Sequence, residues 1–288
     1  MQNKRLKEVF DHFTQSLTNI YSLREAETIS QMIFMEVFQF SSRADLVFGY
    51  GEKLTDIQSK LISSYLNELL QGRPVQHILG LVFFDGLELE VNEHALIPRP
   101  ETEELVSLIA ETIPQDFSGH ITDFGTGSGC IALALKNRFK NTHVQAFDIS
   151  EVALNLAQEN AKRNNLEVKF QLFDLLDGDE DSLPMMDIIV SNPPYIPWQE
   201  SKQMDKAVVD YEPHLALFSP DDDPLIFYRR LLDISTKKLK ADGYMFFEVH
   251  HKLGVDCLAL AKTYYPNSVL KVDLQQNNRF IIIKNKAQ

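Results

Sequence analysis

The chain has 288 residues, 44% of them hydrophobic and 24% charged. These are ordinary globular fractions that exclude wholesale disorder and collagen-like repeats, and at about 150 residues per domain they suggest about two domains. With 28 basic and 41 acidic residues the net charge is −13, and such a surface repels phosphate backbones unless a local basic patch overrides it.

The N-terminal segment MQNKRLKEVFDHF has basic residues but no following apolar core, so it does not read as a secretory leader. The first seventy residues read as helices. Leu6, Val9, Phe10, Phe13, Leu17 and Ile20 share one helical face. Ser22 with Glu25 is a capping-box pattern, and Ile29, Ile33 and Val37 form a stripe behind it. The densest apolar stretch, 32–40, is broken by Glu36 and Gln39 and falls short of the about 18–20 residues of a membrane span. A short helix is expected near 42–48. Thr55 with Gln58 is a second capping box, followed by Ile57, Leu61, Ile62, Tyr65, Leu66 and Leu69, and Gly72-Arg73-Pro74 ends the helix. Residues 1–72 are therefore expected to form a small helical domain.

The pattern then changes. Residues 82–84 and 87–91, joined by Asp85-Gly86, read as a β-hairpin, and Pro98 and Pro100 stiffen the chain around Arg99. Residues 73–100 are expected to be a linker. From 101 to 288 strands and helices alternate. Strands are expected at 121–124, 144–149, 168–173, 187–191, 244–249, 268–274 and 279–284, with helices at 101–113, 129–139, 151–164, 224–239 and 252–264. The fold class is α/β: a Rossmann-like, mostly parallel sheet of seven strands with helices on both faces. No convincing helix separates the last two strands, and residues 275–278 look like a hairpin turn, so the last strand is expected to be antiparallel. Cys130 and Cys257 are the two cysteines, too few for a disulfide framework or a Cys-rich zinc site. A reducing cytoplasm is the expected location, with no metal and no membrane partner.

Asp123-Phe124-Gly125-Thr126-Gly127-Ser128-Gly129 closes the first strand of this sheet and opens a helix. Glycines there let the backbone turn sharply and let a ligand approach it. Cys130 stands where a dinucleotide fingerprint needs its third glycine, and no Gly-Lys-Ser/Thr follows, so neither a dinucleotide site nor a P-loop is present. Asp148 ends the next strand, where a carboxylate can accept hydrogen bonds from both ribose hydroxyls, each contributing about 1.5–3 kcal/mol. The pair fits an adenosyl ligand without pyrophosphate. S-Adenosylmethionine is such a ligand, and its cationic sulfonium and ammonium suit Asp123.

Ser191-Asn192-Pro193-Pro194-Tyr195 follows the strand at 187–191, at the sheet edge that faces the ligand crevice. The prolines fix the backbone there. A planar nitrogen with a delocalised lone pair is a poor nucleophile and needs its N–H groups held so that nitrogen faces the methyl carbon. Asn192 offers a side-chain oxygen, Pro193 a backbone carbonyl, and Tyr195 a flat face. Catalysis by Asn192 and Pro193 would then come from orientation.

Together, DFGTGSG, the Phe147-Asp148 pair and Asn192-Pro193-Pro194-Tyr195 resemble class I S-adenosylmethionine-dependent methyltransferases that modify planar nitrogens. The stretch Arg73-Pro74-Val75-Gln76-His77-Ile78-Leu79-Gly80, Ile97-Pro98-Arg99-Pro100-Glu101-Thr102-Glu103 and Tyr211-Glu212-Pro213 resemble the HemK/PrmC family of protein-(glutamine-N5) methyltransferases. The resemblance implies a substrate, the glutamine of the Gly-Gly-Gln motif of bacterial class I peptide chain release factors, with no direct nucleic-acid partner. It places Gly125, Thr126, Gly127, Ser128 and Gly129 on the methionine part of S-adenosylmethionine and Asp148 on the ribose. Asp174 and Leu175 fall beside the adenine, where the family often carries an aromatic residue. The substrate amide falls to Asn192 and Pro193, with Pro194 and Tyr195 beside it. His77 replaces the more usual tyrosine and reads as a packed neutral side chain or as a ligand or base; Arg99 and Glu101 read either as tying the linker to the substrate loop or as touching the release factor, and Glu248, which ends a strand on the same sheet edge, is a further site candidate. The helical domain is expected to dock the release factor. Two alternatives stay open: an adenine-N6 or guanine-N2 nucleic-acid methyltransferase, which the net charge disfavours, and a non-catalytic cofactor-binding module.

Overall fold

The computed structural model describes residues 4–220 and 223–286; the first three residues of the segment read above for a leader lie outside them. The chain divides into two compact units. The first holds the residues up to Gly80 together with Lys206–Tyr211, and the second holds Leu81–Asp205 and the residues from Glu212 onward.

In the first unit, helices α1 (Leu6–Leu17), α2 (Leu23–Phe38), α3 (Arg43–Phe48), α4 (Asp56–Leu70) and α5 (Val75–Leu79) enclose one apolar core. Both capping boxes form: Ser22 with Glu25 opens α2 and Thr55 with Gln58 opens α4, satisfying main-chain N–H groups that the first helical turn leaves without partners. Phe34 is the core's centre, packed edge-on by Phe10 and Phe13 at 5.2 and 5.4 Å. The apolar stripes are narrower than the periodicity suggests. Ile20 falls in the turn after α1 and is 49% exposed. On α4 the buried face is Ser59, Ile62, Leu66 and Leu69, which turns Ile57 outward. Helix α5, absent from the expected elements, packs Val75 into the same core, so the unit runs on past Gly72. The short helix Lys206–Tyr211 joins it through Tyr211, whose hydroxyl donates to the Gln71 carbonyl at 3.2 Å.

The second unit opens with the hairpin β1 (Leu81–Phe84) and β2 (Leu87–Glu90). Asp85 and Gly86 have φ of 49° and 78°, the positive values of a two-residue turn whose twist matches the strands. The elements that follow are α6 (Pro100–Thr112), β3 (His120–Phe124), α7 (Cys130–Arg138), β4 (His143–Asp148), α8 (Glu151–Arg163), β5 (Lys169–Leu172), β6 (Met186–Ser191), β7 (Ile196–Pro197), α9 (Lys206–Tyr211, of the first unit), α10 (His214–Leu217), β8 (Phe218–Ser219), α11 (Ile226–Lys238), β9 (Leu239–Glu248), α12 (Gly254–Tyr264), β10 (Val269–Val272) and β11 (Asn278–Lys284). Seven strands form one sheet in the order β10-β11-β9-β6-β3-β4-β5. Strands β5, β4, β3, β6 and β9 are parallel, and β11 runs antiparallel to both its neighbours. Two apolar clusters pack the sheet's two faces, one built around Leu105, Leu133 and Val190, the other around Ile189, Leu231 and Phe247. The chain reverses its direction of travel across the sheet at β3 and β6, so the crevice lies beyond their carboxyl ends.

Proline starts α6 at its first turn, where its missing N–H costs nothing. Asn160 of α8 accepts from Glu90 N and donates to the carbonyls of Glu90 and Ser128, which ties the hairpin to the glycine loop. The two-residue strands β7 and β8 were not expected; they pair in parallel, held by Trp198 edge-on to Phe218 at 4.6 Å.

Candidate active site

Three strand ends build the site: the glycine loop after β3, Asp148 at the end of β4, and Asn192 after β6. They surround a cleft of about 240 Å³ whose walls include Gly125, Thr126, Gly127, Ser128, Asp148, Asp174, Leu175, Asn192, Pro193 and Pro194. Its apolar floor is a cluster of Phe124, Phe147 and Phe173 with ring centres 5.2–6.0 Å apart.

The glycine loop is held by its own main chain. The amides of Gly125 and Thr126 both donate to the Phe147 carbonyl, at 2.8 and 3.0 Å. Gly125 and Gly127 have φ of 72° and 54°, in the left-handed region where a side chain is strained. A Cβ at Gly125 would meet nothing within 4 Å, so the cradle is open there. The Asp148 carboxylate bridges loop and strand: Oδ2 accepts from Gly127 N at 2.8 Å and Oδ1 from Ser150 N at 2.9 Å. Burial raises its pKa, and these two backbone bonds oppose the rise. Each carboxylate oxygen has a further lone pair with which to accept a ligand hydroxyl. Asp174 turns the loop after β5, accepting from Leu176 N at 2.9 Å, and Arg230 donates to the Leu175 carbonyl at 3.1 Å, which fixes Leu175 in the wall.

Three of the expected residues stand behind the wall. Gly129 is at φ 84°, and a Cβ there would lie 3.0 Å from the Ala157 Cβ on α8; the position serves close packing of α7 on α8. Asp123 is fully buried. Its Oδ2 accepts from Thr126 Oγ1 at 2.7 Å, while Oδ1 has no partner. Burial pushes its pKa up to about 7 against the Thr126 hydrogen bond, and the Asp148 charge adds to the rise. Tyr195 does not present its ring to the cleft. Its hydroxyl donates to Glu248 Oε1 at 3.3 Å and its ring lies 5.7 Å from that of His250.

Asn192 donates through Nδ2 to Thr102 Oγ1 at 3.3 Å, and Thr102 donates to Glu248 Oε2 at 2.8 Å. Glu248 is 1% exposed. Burial pushes it up to about 7, against hydrogen bonds from Thr102 and Tyr195 and the Arg279 charge. Thr102 carries no sequence signal beyond its place in the stretch 97–103, and Glu248 none beyond ending a strand at the sheet edge. Arg99 lines the cleft and pairs with the buried Glu212 at 2.5 Å, whose other oxygen accepts from Ile97 N at 3.1 Å; the pair anchors the segment before α6. His77 is buried in the first unit.

Residues 102–211 match the methyltransferase small domain family, and residues 8–80 match the PrmC N-terminal domain. A release factor glutamine methyltransferase of Flavobacterium psychrophilum is 41% identical over 96% of this chain and 98% of its own length. The chain belongs to the HemK/PrmC family of release factor glutamine methyltransferases. The family member of Bacteroides thetaiotaomicron is 35% identical over 88% of this chain and 91% of its own. Among solved structures, a methyltransferase from Pyrococcus furiosus superimposes with TM-score 0.51 at 18% identity, covering 78% of this chain and all of that one. The hMettl16 catalytic domain in complex with the MAT2A 3'UTR hairpin 6 gives 0.53 at 16% identity, covering 81% and 84%. At these identities the superpositions establish the shared class I methyltransferase fold. No helix among the described residues is long and apolar enough to cross a membrane.

Proposed function

We propose that this protein transfers a methyl group from S-adenosylmethionine to the side-chain amide nitrogen (N5) of the Gly-Gly-Gln glutamine in bacterial class I release factors. The observation that carries the reading is that Asn192 and Pro193 line the same cleft as the Gly125–Gly127 cradle and Asp148. The names of full-length relatives supply the substrate class.

The residues fit the co-substrate. Open space at Gly125 suits close approach by its amino acid end, and Asp148 offers two acceptor oxygens to a ribose. Asp174 and Leu175 flank the place for adenine, Leu175 by apolar contact. Ser128 and Thr126 complete the loop, with Asp123 holding the Thr126 hydroxyl behind it. When bound, S-adenosylmethionine supplies an electrophilic methyl on a sulfonium that leaves as a neutral thioether. Asn192 Oδ1 and the Pro193 carbonyl accept the N–H groups of the glutamine amide, which turns its nitrogen toward the methyl carbon. Pro194 stiffens that loop. As the N–C bond forms, the nitrogen gives up one proton to solvent. Orientation of this kind supplies the catalysis, and no basic side chain is required at the amide.

The helical unit docks the release factor away from the glutamine. It carries large exposed apolar side chains, Phe48 at 85% and Ile57 at 79%. Changing both to Asp should slow methylation of the whole factor and leave a short Gly-Gly-Gln peptide unaffected; equal rates on the factor would refute the docking role. The function itself is tested by offering S-adenosylmethionine with a labelled methyl and, in parallel, a release factor, tRNA and DNA. Label in the release factor alone is expected. Label in nucleic acid alone would replace the reading by the adenine-N6 or guanine-N2 alternative, and cofactor binding without transfer to any acceptor would favour the non-catalytic module.

A further inference from the structure

We propose that Glu248, acting through the Thr102 hydroxyl, sets which end of the Asn192 side-chain amide is offered to the substrate. The inference deepens the proposed function and rests on its assignment of Asn192. The argument is an inventory of protons. A threonine hydroxyl has one proton to donate. The ionised Glu248 carboxylate has no hydrogen of its own to give, so Thr102 spends its one on Oε2, at 2.8 Å. Toward Asn192, 3.3 Å away, Thr102 is then only an acceptor, and it takes an N–H of the amide. The amide is planar with its nitrogen and oxygen on opposite sides, so Oδ1 is left as the acceptor a glutamine N–H needs. If Thr102 donated to Asn192 instead, the amide would flip and present two donors to a substrate that itself donates.

The second carboxylate oxygen holds the far end of the same loop. Glu248 Oε1 accepts from the Tyr195 hydroxyl at 3.3 Å, so one side chain spans the loop from its first to its fourth residue. Glu248 is itself fixed at the end of β9, where its main-chain carbonyl accepts from the buried Tyr228 hydroxyl at 2.9 Å. A carboxylate that is 1% exposed is costly to bury, and a methionine or leucine would fill the volume. Its two side-chain hydrogen bonds lead to the substrate loop, through Tyr195, and to the residue that orients Asn192, Thr102. Glu248 and Thr102 are thus positioning residues.

The test reads the Asn192 side-chain amide directly. Its ¹⁵N-resolved NH₂ signal is assigned by its loss in Asn192→Ala. Thr102→Val keeps the shape and removes the hydroxyl; Glu248→Gln keeps the size and adds donors; Thr102→Ser restores the hydroxyl. The first two should move the signal and lower kcat about tenfold or more, with cofactor affinity retained, and Thr102→Ser should return both toward the parent. An unmoved signal and parent-like kcat in Thr102→Val would overturn the inference, as would a Thr102→Ser protein no better than Thr102→Val. Signals that move as expected in a parent protein with no transfer to glutamine would support the orientation and overturn the proposed function.

Discussion

The two loops at the carboxyl edge of the sheet are built in opposite ways. The glycine loop is held by local backbone: its amides bond the Phe147 carbonyl and the Asp148 carboxylate, one strand away. The loop of Asn192–Tyr195 is stiffened by two prolines and held by side chains from remote elements, Thr102 on α6 and Glu248 on β9. The difference matches the ligands each would take. A cofactor common to many proteins is met by main-chain geometry that many sequences can produce. The acceptor is met by a polar network that runs from Asn192 through Thr102 to Glu248 and Tyr195, and such networks fix geometry when their members are satisfied.

If the two loops serve separate ligands, they should fail separately. The largest effect is expected from Asn192→Ala, with kcat reduced about 10²–10³-fold, the range seen when one oriented polar group is removed from an active site, and cofactor affinity as in the parent. Parallel loss of both would break the comparison. Next comes Asp148→Ala, which should weaken cofactor binding by at least about 10–100-fold, the worth of one of its two charge-assisted hydrogen bonds to the ribose. Calorimetric titration should show this with little change in the KM for a glutamine peptide.

The glycine loop can be divided further. Gly129→Ala should cost about 1–3 kcal/mol of stability in a denaturant titration, from positive φ and overpacking on Ala157. Gly125→Ala, with open space around it, should cost less stability and more cofactor affinity. Equal stability losses would contradict the distinction between a packed and a ligand-facing glycine.

Last comes a pH dependence. Folded Glu248 titrates at about 7, against an ordinary glutamate near 4.5. Between those values the folded protein holds a proton that the unfolded chain has released. The group's contribution is therefore fully present below about pH 4.5 and is lost as pH rises toward 7. The stability of Glu248→Gln relative to the parent should rise across this window, by at most about 1.4 kcal/mol per pH unit. A constant difference between pH 5 and 7 would contradict it.

Whatever was encoded within a few residues was legible in the sequence. The capping boxes at Ser22 and Thr55, the Asp85-Gly86 turn, the glycine loop and the strand–helix alternation all depend on neighbours in the chain, and the structure bears them out. Asn192 could be found because its tetrapeptide is distinctive. Its supports could not: Thr102 lies 90 residues from Asn192, and Glu248 lies 146 from Thr102, and no spacing rule joins them. Tyr195, read as a flat face for the substrate, is instead turned by its hydroxyl toward Glu248, a contact only the folded sheet reveals. Helix α5 and the strands β7 and β8 are too short to show a period. Ile57 followed the helical pattern but fell outside the arc that α4 buries.

The central claim is a single covalent change at a named atom on a partner protein. A release factor that starts unmodified, incubated with S-adenosylmethionine and this protein, should yield a Gly-Gly-Gln peptide heavier by one methyl, with fragmentation placing the methyl on the glutamine side chain. The same incubation with Asn192→Ala should leave the peptide unchanged. An unmodified peptide from the parent with cofactor bound, or equal methylation by the Asn192→Ala protein, would contradict the account.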